Sequence, residues 1–325
     1  MRRTFLKAGV ACSVQFMLGR TYAQAVSGKP VEWVVGFAAG GGSDAVARSV
    51  AEAWAKPIHR NIVVINKPGA GTNIAAEYAA RSRDYGNLVF TADFATLAAN
   101  PHLFPKLAYN AEQDFVPIGL LARFPLLLVV HNELPVRSFQ DFAAWAKANP
   151  GKLNIGTPQI GTTQNLAAEM FKLTAGIDAQ VVPFNGTPPV VTAVRGGEID
   201  AMVDILGPLV TQISGKTLRA LAVLGKDRAP QLPDVPAARE TGPAFAQMNL
   251  SSWNGLAAPA KTPPAVVERL SKEIQTALAK PELVQRLREL NLTARSSTPQ
   301  QARDFLAADV QRWSDVIAKA KIQKL

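Results

Sequence analysis

Cysteine occurs once in the 325 residues, at Cys12, and histidine three times, at His59, His102 and His131. A chain this poor in thiol has no disulfide framework, and with Cys12 removed it has neither a zinc–thiolate site nor a cysteine nucleophile. The histidines stand far apart and in no metal-ligand spacing, so surface or hinge positions suit His102 and His131 better than catalysis. Gly-x-Ser-x-Gly, His-Glu-x-x-His and the phosphate-binding Gly-x4-Gly-Lys-Ser/Thr are all missing. Phe37 to Asp44 does not meet Gly-x-Gly-x-x-Gly, which argues against a dinucleotide, and no metal or cofactor is expected. Long apolar runs are absent too: Pro125 to Val130 falls far short of the roughly 18 residues of a membrane span. No Lys/Arg block interleaved with aromatics appears, so no nucleic-acid partner is expected.

What remains is an ordinary globular composition, 48% apolar and 18% charged. At roughly 150 residues per domain the length suits two domains, each able to bury a core. Residues 1–25 read as an export signal rather than fold. Arg2-Arg3-Thr4-Phe5-Leu6-Lys7 opens it, a weakly apolar stretch follows to Leu18, and Ala23-Gln24-Ala25 offers a small-x-small cleavage site. The arginine pair before Phe5-Leu6-Lys7 looks like a twin-arginine signal, with an ordinary secretory signal as the alternative. Either route places the product in the periplasm. Without Arg2, Arg3, Lys7 and Arg20 the charge falls from +10 to +6. That balance fits loosely with anionic small molecules.

The rest of the chain repeats one pattern: a β-branched run, a Gly-rich turn, then a helix with apolar residues every third or fourth position. Val31 to Phe37 reads as a strand, and Val46, Val50 and Trp54 form one stripe of the helix after it. Ile62–Ile65 and Leu88–Phe90 read as further strands, with a helix through Tyr78 between them. The pattern restarts at Leu126–Val130, followed by helices at about 138–148, after Gly161-Thr162-Thr163 and near Pro188-Pro189. The tail is helical: Val267, Leu270, Ile274 and Leu278 face inward on one helix, and Phe305, Val310, Trp313 and Ile317 on the last. Strand–helix alternation predicts α/β layering with mostly parallel sheets. No low-complexity linker appears, so short crossing strands are expected between two lobes, with a ligand cleft in the gap.

Three turns lead into helix starts: Gly40-Gly41-Gly42-Ser43-Asp44, Gly161-Thr162-Thr163 and Asn185-Gly186-Thr187. A first helical turn leaves about four N–H groups unpaired and carries roughly half a positive charge. Such a turn binds carboxylate, phosphate or sulfate without arginine. Each taken alone reads more readily as a plain capped turn, and the sequence does not show whether any two face each other.

Phe37-Ala38-Ala39-Gly40-Gly41-Gly42-Ser43-Asp44 resembles the F-P-P-G-G-x-x-D opening of the Bug family, receptors of tripartite tricarboxylate transporters. The likeness continues through Asn66-Lys67-Pro68-Gly69-Ala70-Gly71, Asp114-Phe115-Val116-Pro117 and Pro183-Phe184-Asn185-Gly186. It runs on through Gly196-Gly197-Glu198-Ile199-Asp200, Leu232-Pro233-Asp234-Val235-Pro236 and Trp253-Asn254-Gly255-Leu256, in the family's order. The resemblance implies a type II periplasmic binding fold: two α/β lobes around a central cleft, with C-terminal helices returning to lobe one. Lobe one would hold residues 26–123 and 251–325, lobe two residues 124–250. It further implies a monomer that passes a small carboxylate to membrane transporter subunits.

The binding residues it implies lie on three segments. The first loop supplies Phe37, Gly41, Gly42, Ser43 and Asp44, and the strand-end turn supplies Thr91, Asp93, Phe94 and Thr96. The second lobe supplies Gly161, Thr162, Thr163, Asn165, Phe184, Asn185, Gly186 and Asp204. Asp204 has an alternative role bracing a loop. Asp93 either pairs with a ligand ammonium or caps the helix that holds Thr96. The sequence departs from the family at Ala38-Ala39 in place of two prolines, at Asn165 in place of a histidine, and at Ile205 in place of asparagine. Asn165 cannot become cationic. Two other functions share the scaffold: an enzyme acting on an organic acid, for which Asp44 and Asp204 are the titratable pair to nominate, and a ligand-presenting partner of a membrane sensor.

Overall fold

A computed structural model describes residues 28–322 and 324. The export signal expected over 1–25, with Cys12 inside it, lies outside the described residues. The first lobe opens with β1 (Val31–Val35), α1 (Gly42–Ile58), β2 (Ile62–Asn66), α2 (Asn73–Arg81), β3 (Leu88–Asp93) and α3 (Asn100–Leu103). A wide π-type turn over Ala95–Ala99 joins β3 to α3. β4 (Phe115–His131) then carries the chain into the second lobe. There α4 (Phe139–Ala148), β5 (Leu153–Thr157), α5 (Thr163–Ala175), β6 (Ala179–Pro183), α6 (Thr187–Arg195), β7 (Ala201–Ile205), α7 (Leu206–Ser214) and β8 (Leu218–Val223) follow in order. β9 (Ser251–Pro259) returns to the first lobe, where α8 (Pro264–Leu278), α9 (Pro281–Glu289), β10 (Thr293–Ala294) and α10 (Pro299–Lys319) complete the chain.

The strands run in the order β2-β1-β3-β9-β4-β7-β5-β6, with β8 and β10 also pairing with β4. Strand–helix alternation predicts parallel pairing, and the outer strands obey: β1 with β2 and β3, β5 with β6 and β7. The strands that connect the lobes do not. β9 is antiparallel to β3 and β4, and β4 is antiparallel to β7 and β8. β4 does not pair with β5, the strand that follows it across a single helix, so the crossover rule for parallel pairing does not apply there. β4 is also far longer than the Leu126–Val130 run. Its first part contains Pro117 and Gly119, poor strand formers, and register shifts beside them absorb the mismatch with β9. At Pro125–Leu126 the strand exchanges its partner, from Ser251 of β9 to Ile205 of β7.

Apolar periodicity builds the cores. Val46, Val50 and Trp54 of α1 are fully buried, and the Trp54 ring meets Trp33 of β1 edge-on with centroids 6.2 Å apart. α8 lays Leu270, Ile274 and Leu278 into the same cluster, with Val267 buried as well, and Trp54 Nε1 donates to Glu273 Oε2 at 2.9 Å. α8 and α9 thus return to lobe one. α10 runs across the waist: Trp313 packs edge-on to Phe94 with centroids 5.1 Å apart, while other residues of the helix pack on β4 and α5. Its start is a capping box made by Thr298 and Gln301.

Leu270→Ala should cost about 2–5 kcal/mol of unfolding free energy, since it empties a fully buried site between α8 and α1. Urea denaturation checks this, and a loss below about 1 kcal/mol would mean that α8 adds little to the core.

Candidate functional site

β1 ends at Val35 and the chain turns through Phe37 to Gly41, the N-cap of α1, which no side chain caps. Asp44 holds this loop shut from behind. Its carboxylate accepts from Gly40 N at 2.9 Å, from Arg48 Nε at 2.9 Å and from Asn66 Nδ2 at 2.9 Å, and Asn66 Nδ2 also donates to Phe37 O. Burial alone would raise the Asp44 pKa, but these donors and the Arg48 charge outweigh it and hold the carboxyl below its usual range. Glycine is required at position 42 by close approach: a Cβ there would lie 2.9 Å from the Phe124 ring.

The second lobe presents the start of α5. Thr162 is the N-cap, accepting from Asn165 N at 3.3 Å and donating to Gln159 O at 2.7 Å. Asn165 sits behind the turn, buried, taking the Gly161 N–H on Oδ1 at 3.2 Å and donating to Thr157 Oγ1. Asp204, fully buried, accepts from Gln164 Nε2 at 3.1 Å and from Thr187 Oγ1 at 2.6 Å. Burial pushes its carboxyl up against the lowering effect of those bonds. Thr163 Oγ1 donates to Ser252 Oγ of β9 at 3.0 Å, a hydrogen bond across the gap between lobes.

One cavity of about 810 Å³ lies in that gap. Gly41, Gly42 and Ser43 line it from α1, and Thr162, Thr163 and Gln164 line it from α5, so two helix N-termini face a common space. Phe37, Asp93, Phe94, Gly161 and Gly186 line it as well. Seven other nominated residues stand outside the lining. Thr91 is a core residue that accepts from Trp33 Nε1 at 2.8 Å, and Thr96 is buried with its hydroxyl on Asp93 and Thr72. Phe184 packs half-buried against a second-lobe core cluster and Asn185 is exposed, and their turn spends the Phe184 and Gly186 N–H groups on Thr157 O and Pro158 O. Asp44, Asn165 and Asp204 act one layer behind the surface, where each braces the groups that form it. Asp44 and Asp204 belong to separate lobes and neither reaches the cavity.

Sequence reasoning passed over several lining residues: Gly71 and Thr72, Asn100 and Phe104, Phe124 and Ile205, Ser252 and Asn254. The Gly69–Thr72 turn was visible as another glycine-rich helix start. Its backbone has positive φ at all four residues, including 76° at the β-branched Thr72, a strained conformation. Gly71 sits under the Phe104 ring, 3.4 Å from the position of an added Cβ. The others come from strands and loops distant in sequence, and only the folded topology assembles them.

Electrostatically the cavity is one-sided. Among the described residues no lysine, arginine or histidine lines it, and Asp93 is the one ionisable side chain that does. Asp93 accepts from Thr96 N at 3.0 Å and Thr96 Oγ1 at 2.9 Å, the capping role weighed for it above. Burial pushes its pKa up to about 6, against the lowering effect of the Thr96 and Ala95 donors.

Two α/β lobes joined by shared antiparallel strands, with helix starts converging on the gap, define a two-lobed solute-binding protein. The chain belongs to the tripartite tricarboxylate transporter receptor family, TctC, whose model matches residues 46–322. It is a receptor of the TctC/Bug type, a periplasmic class. Protein BugT of Bordetella pertussis is 29% identical over 98% of this chain and 97% of its own length. Among solved structures, R. palustris Rpa4515 with adipate is 29% identical at a TM-score of 0.81, covering 91% of this chain and 98% of its own. MatC of Rhodopseudomonas palustris, with bound malate, is 30% identical at 0.75, covering 89% and 98%.

The Asp93 value sets a pH dependence. Because its folded pKa lies above the ordinary 3.8, protonation favours the fold: the stabilisation is full below about pH 3.8 and is lost as pH rises through about 6. Asp93→Asn should therefore gain stability relative to the parent between about pH 4 and pH 7. Urea midpoints of both proteins across that range check it, and a constant difference would show that the carboxyl titrates normally.

Proposed function

We propose that this protein captures a small organic carboxylate between its lobes in the periplasm and delivers it to the membrane subunits of a tripartite tricarboxylate-type transporter. The observation that carries this reading is the pair of helix starts, α1 and α5, lining one cavity from opposite lobes. Amide hydrogens at such ends favour negative charge, and low-polarity walls strengthen the attraction. Adipate in Rpa4515 and malate in MatC support the same ligand class. The lobes are read as residues 26–123 with 251–325, and 124–250, bending where β4 changes partner at Pro125. Gly41, Gly42, Ser43, Thr162 and Thr163 are the proposed anion contacts. Asp44, Asn165 and Asp204 are their positioning residues. A single chain builds the whole cavity, which supports action as a monomer.

Ser43→Asp tests the anion site. A carboxylate in the first turn of α1 suits the helix dipole, so folding stability should hold or rise, while ligand affinity should drop by about tenfold or more. Calorimetric titration with a panel of mono- and dicarboxylates, beside thermal unfolding, reads both effects. The absence of binding by any member of the panel to the parent protein would overturn the proposal.

A further inference from the structure

One corner of the cavity brings a carboxylate beside an amide oxygen that has no hydrogen-bond partner among the described residues. Asp93 ends β3 and Asn254 lies directly across from it on β9, so the two side chains are cross-strand neighbours, and both line the cavity. Each is 2% exposed. Asn254 Nδ2 donates to Trp253 O at 3.1 Å, which turns Oδ1 the other way, and Oδ1 is buried with no hydrogen-bond partner. A buried orphan acceptor is costly unless something outside the chain donates to it. The donors to Asp93 are Thr96 and the Ala95 amide, with no cationic side chain among them. A carboxylate has about four acceptor sites, so capacity is left over.

The opposite character prevails elsewhere in the cavity. The α1 and α5 ends offer amide donors. Apolar groups sit directly beside them: the Phe124 ring lies over Gly42, with Ile205 also close to it, and the Phe104 ring lies over Gly71. A guest whose carboxylate meets the α1 amides has its next atoms among phenyl and aliphatic side chains. A second carboxylate at the acceptor corner would face Asp93 and an unpartnered carbonyl oxygen with no cation to offset them.

We propose that the Asp93–Asn254 corner receives an ammonium group, so that the ligand is a zwitterion: an α-amino acid with an aromatic or branched apolar side chain. This rests on the carboxylate reading above, since the helix ends hold the acid group. The ammonium donates to Asn254 Oδ1 and pairs with the Asp93 carboxylate. The carboxylate takes the amides of α1 and α5, and the side chain fills the space beside Phe104 and Phe124. A short diacid meets the amides as well but leaves the corner unanswered.

Calorimetric titration of the purified protein with L-phenylalanine, 3-phenyllactate, 3-phenylpropionate and adipate separates the possibilities, because the first three differ only in what stands at the α-carbon. L-Phenylalanine should bind about tenfold or more tightly than any of the others. Asp93→Asn and Asn254→Ala should each narrow the gap between L-phenylalanine and 3-phenylpropionate by about fivefold or more, a readout that mere loosening of the fold would not move selectively. Tighter or equal binding of 3-phenyllactate, 3-phenylpropionate or adipate would overturn the ammonium assignment and leave the carboxylate receptor standing. Should none of the four bind, both readings fall together.

Discussion

Everything about this cleft depends on backbone donors that the chain leaves without acceptors of its own. The first turn of a helix must place its N–H groups somewhere, and most helices use a side-chain cap or water. Here α4 and α10 are closed by full capping boxes, whereas α1 begins at a bare glycine with no side-chain cap. α4 and α10 begin away from the cavity, with Ser138 half-buried and Thr298 exposed, and α1 begins in the gap between lobes. A loop of glycines gives an anion room to approach, and it needs outside help to keep its shape.

That help comes from buried acids that never face the proposed guest. Asp44 ties Gly40, Arg48 and Asn66 together behind α1, and Asp204 holds Gln164 and Thr187 from behind the second-lobe wall. A carboxylate suits the task because it accepts several hydrogen bonds at once and fixes each donor's orientation. It is also the wrong charge to place in front of an anion, so its place one layer back is physically required. Asp93 breaks the rule. It caps its own turn and still borders the cavity, in a wall that holds no compensating cation among the described residues.

The elements were largely legible in the sequence. The α1 stripe of Val46, Val50 and Trp54 and the α8 stripe from Val267 to Leu278 are local patterns that burial enforces, so periodicity found them. The glycine turns were legible for the same reason, since a positive φ or a close approach leaves few alternatives to glycine. Depth was not legible. Thr91 and Thr96 sit in a segment that borders the cavity, yet one faces Trp33 in the core and the other folds back on Asp93. Alternation along a strand places neighbours on opposite faces, and nothing local says which face is the cleft. Phe124 and Asn254 were hidden differently, because their importance arises from pairing between β4, β3 and β9 across long sequence separations.

The waist of the molecule links these observations. A flexible tether would let the lobes drift, but here a single 17-residue strand belongs to both sheets, with β9 alongside its first part. Hydrogen bonds along such a strand resist stretching and shear far more than they resist twist, which sheets accommodate readily. Pro125 falls where the strand changes partner, and it removes one ladder donor there. The softest point in a stiff connection therefore coincides with the partner exchange. Phe124, one residue before it, covers Gly42 at the start of α1, and Ile205 of the opposite lobe is paired one residue after it. The same few residues thus stand both at the partner exchange between the sheets and at the apolar border of the helix end.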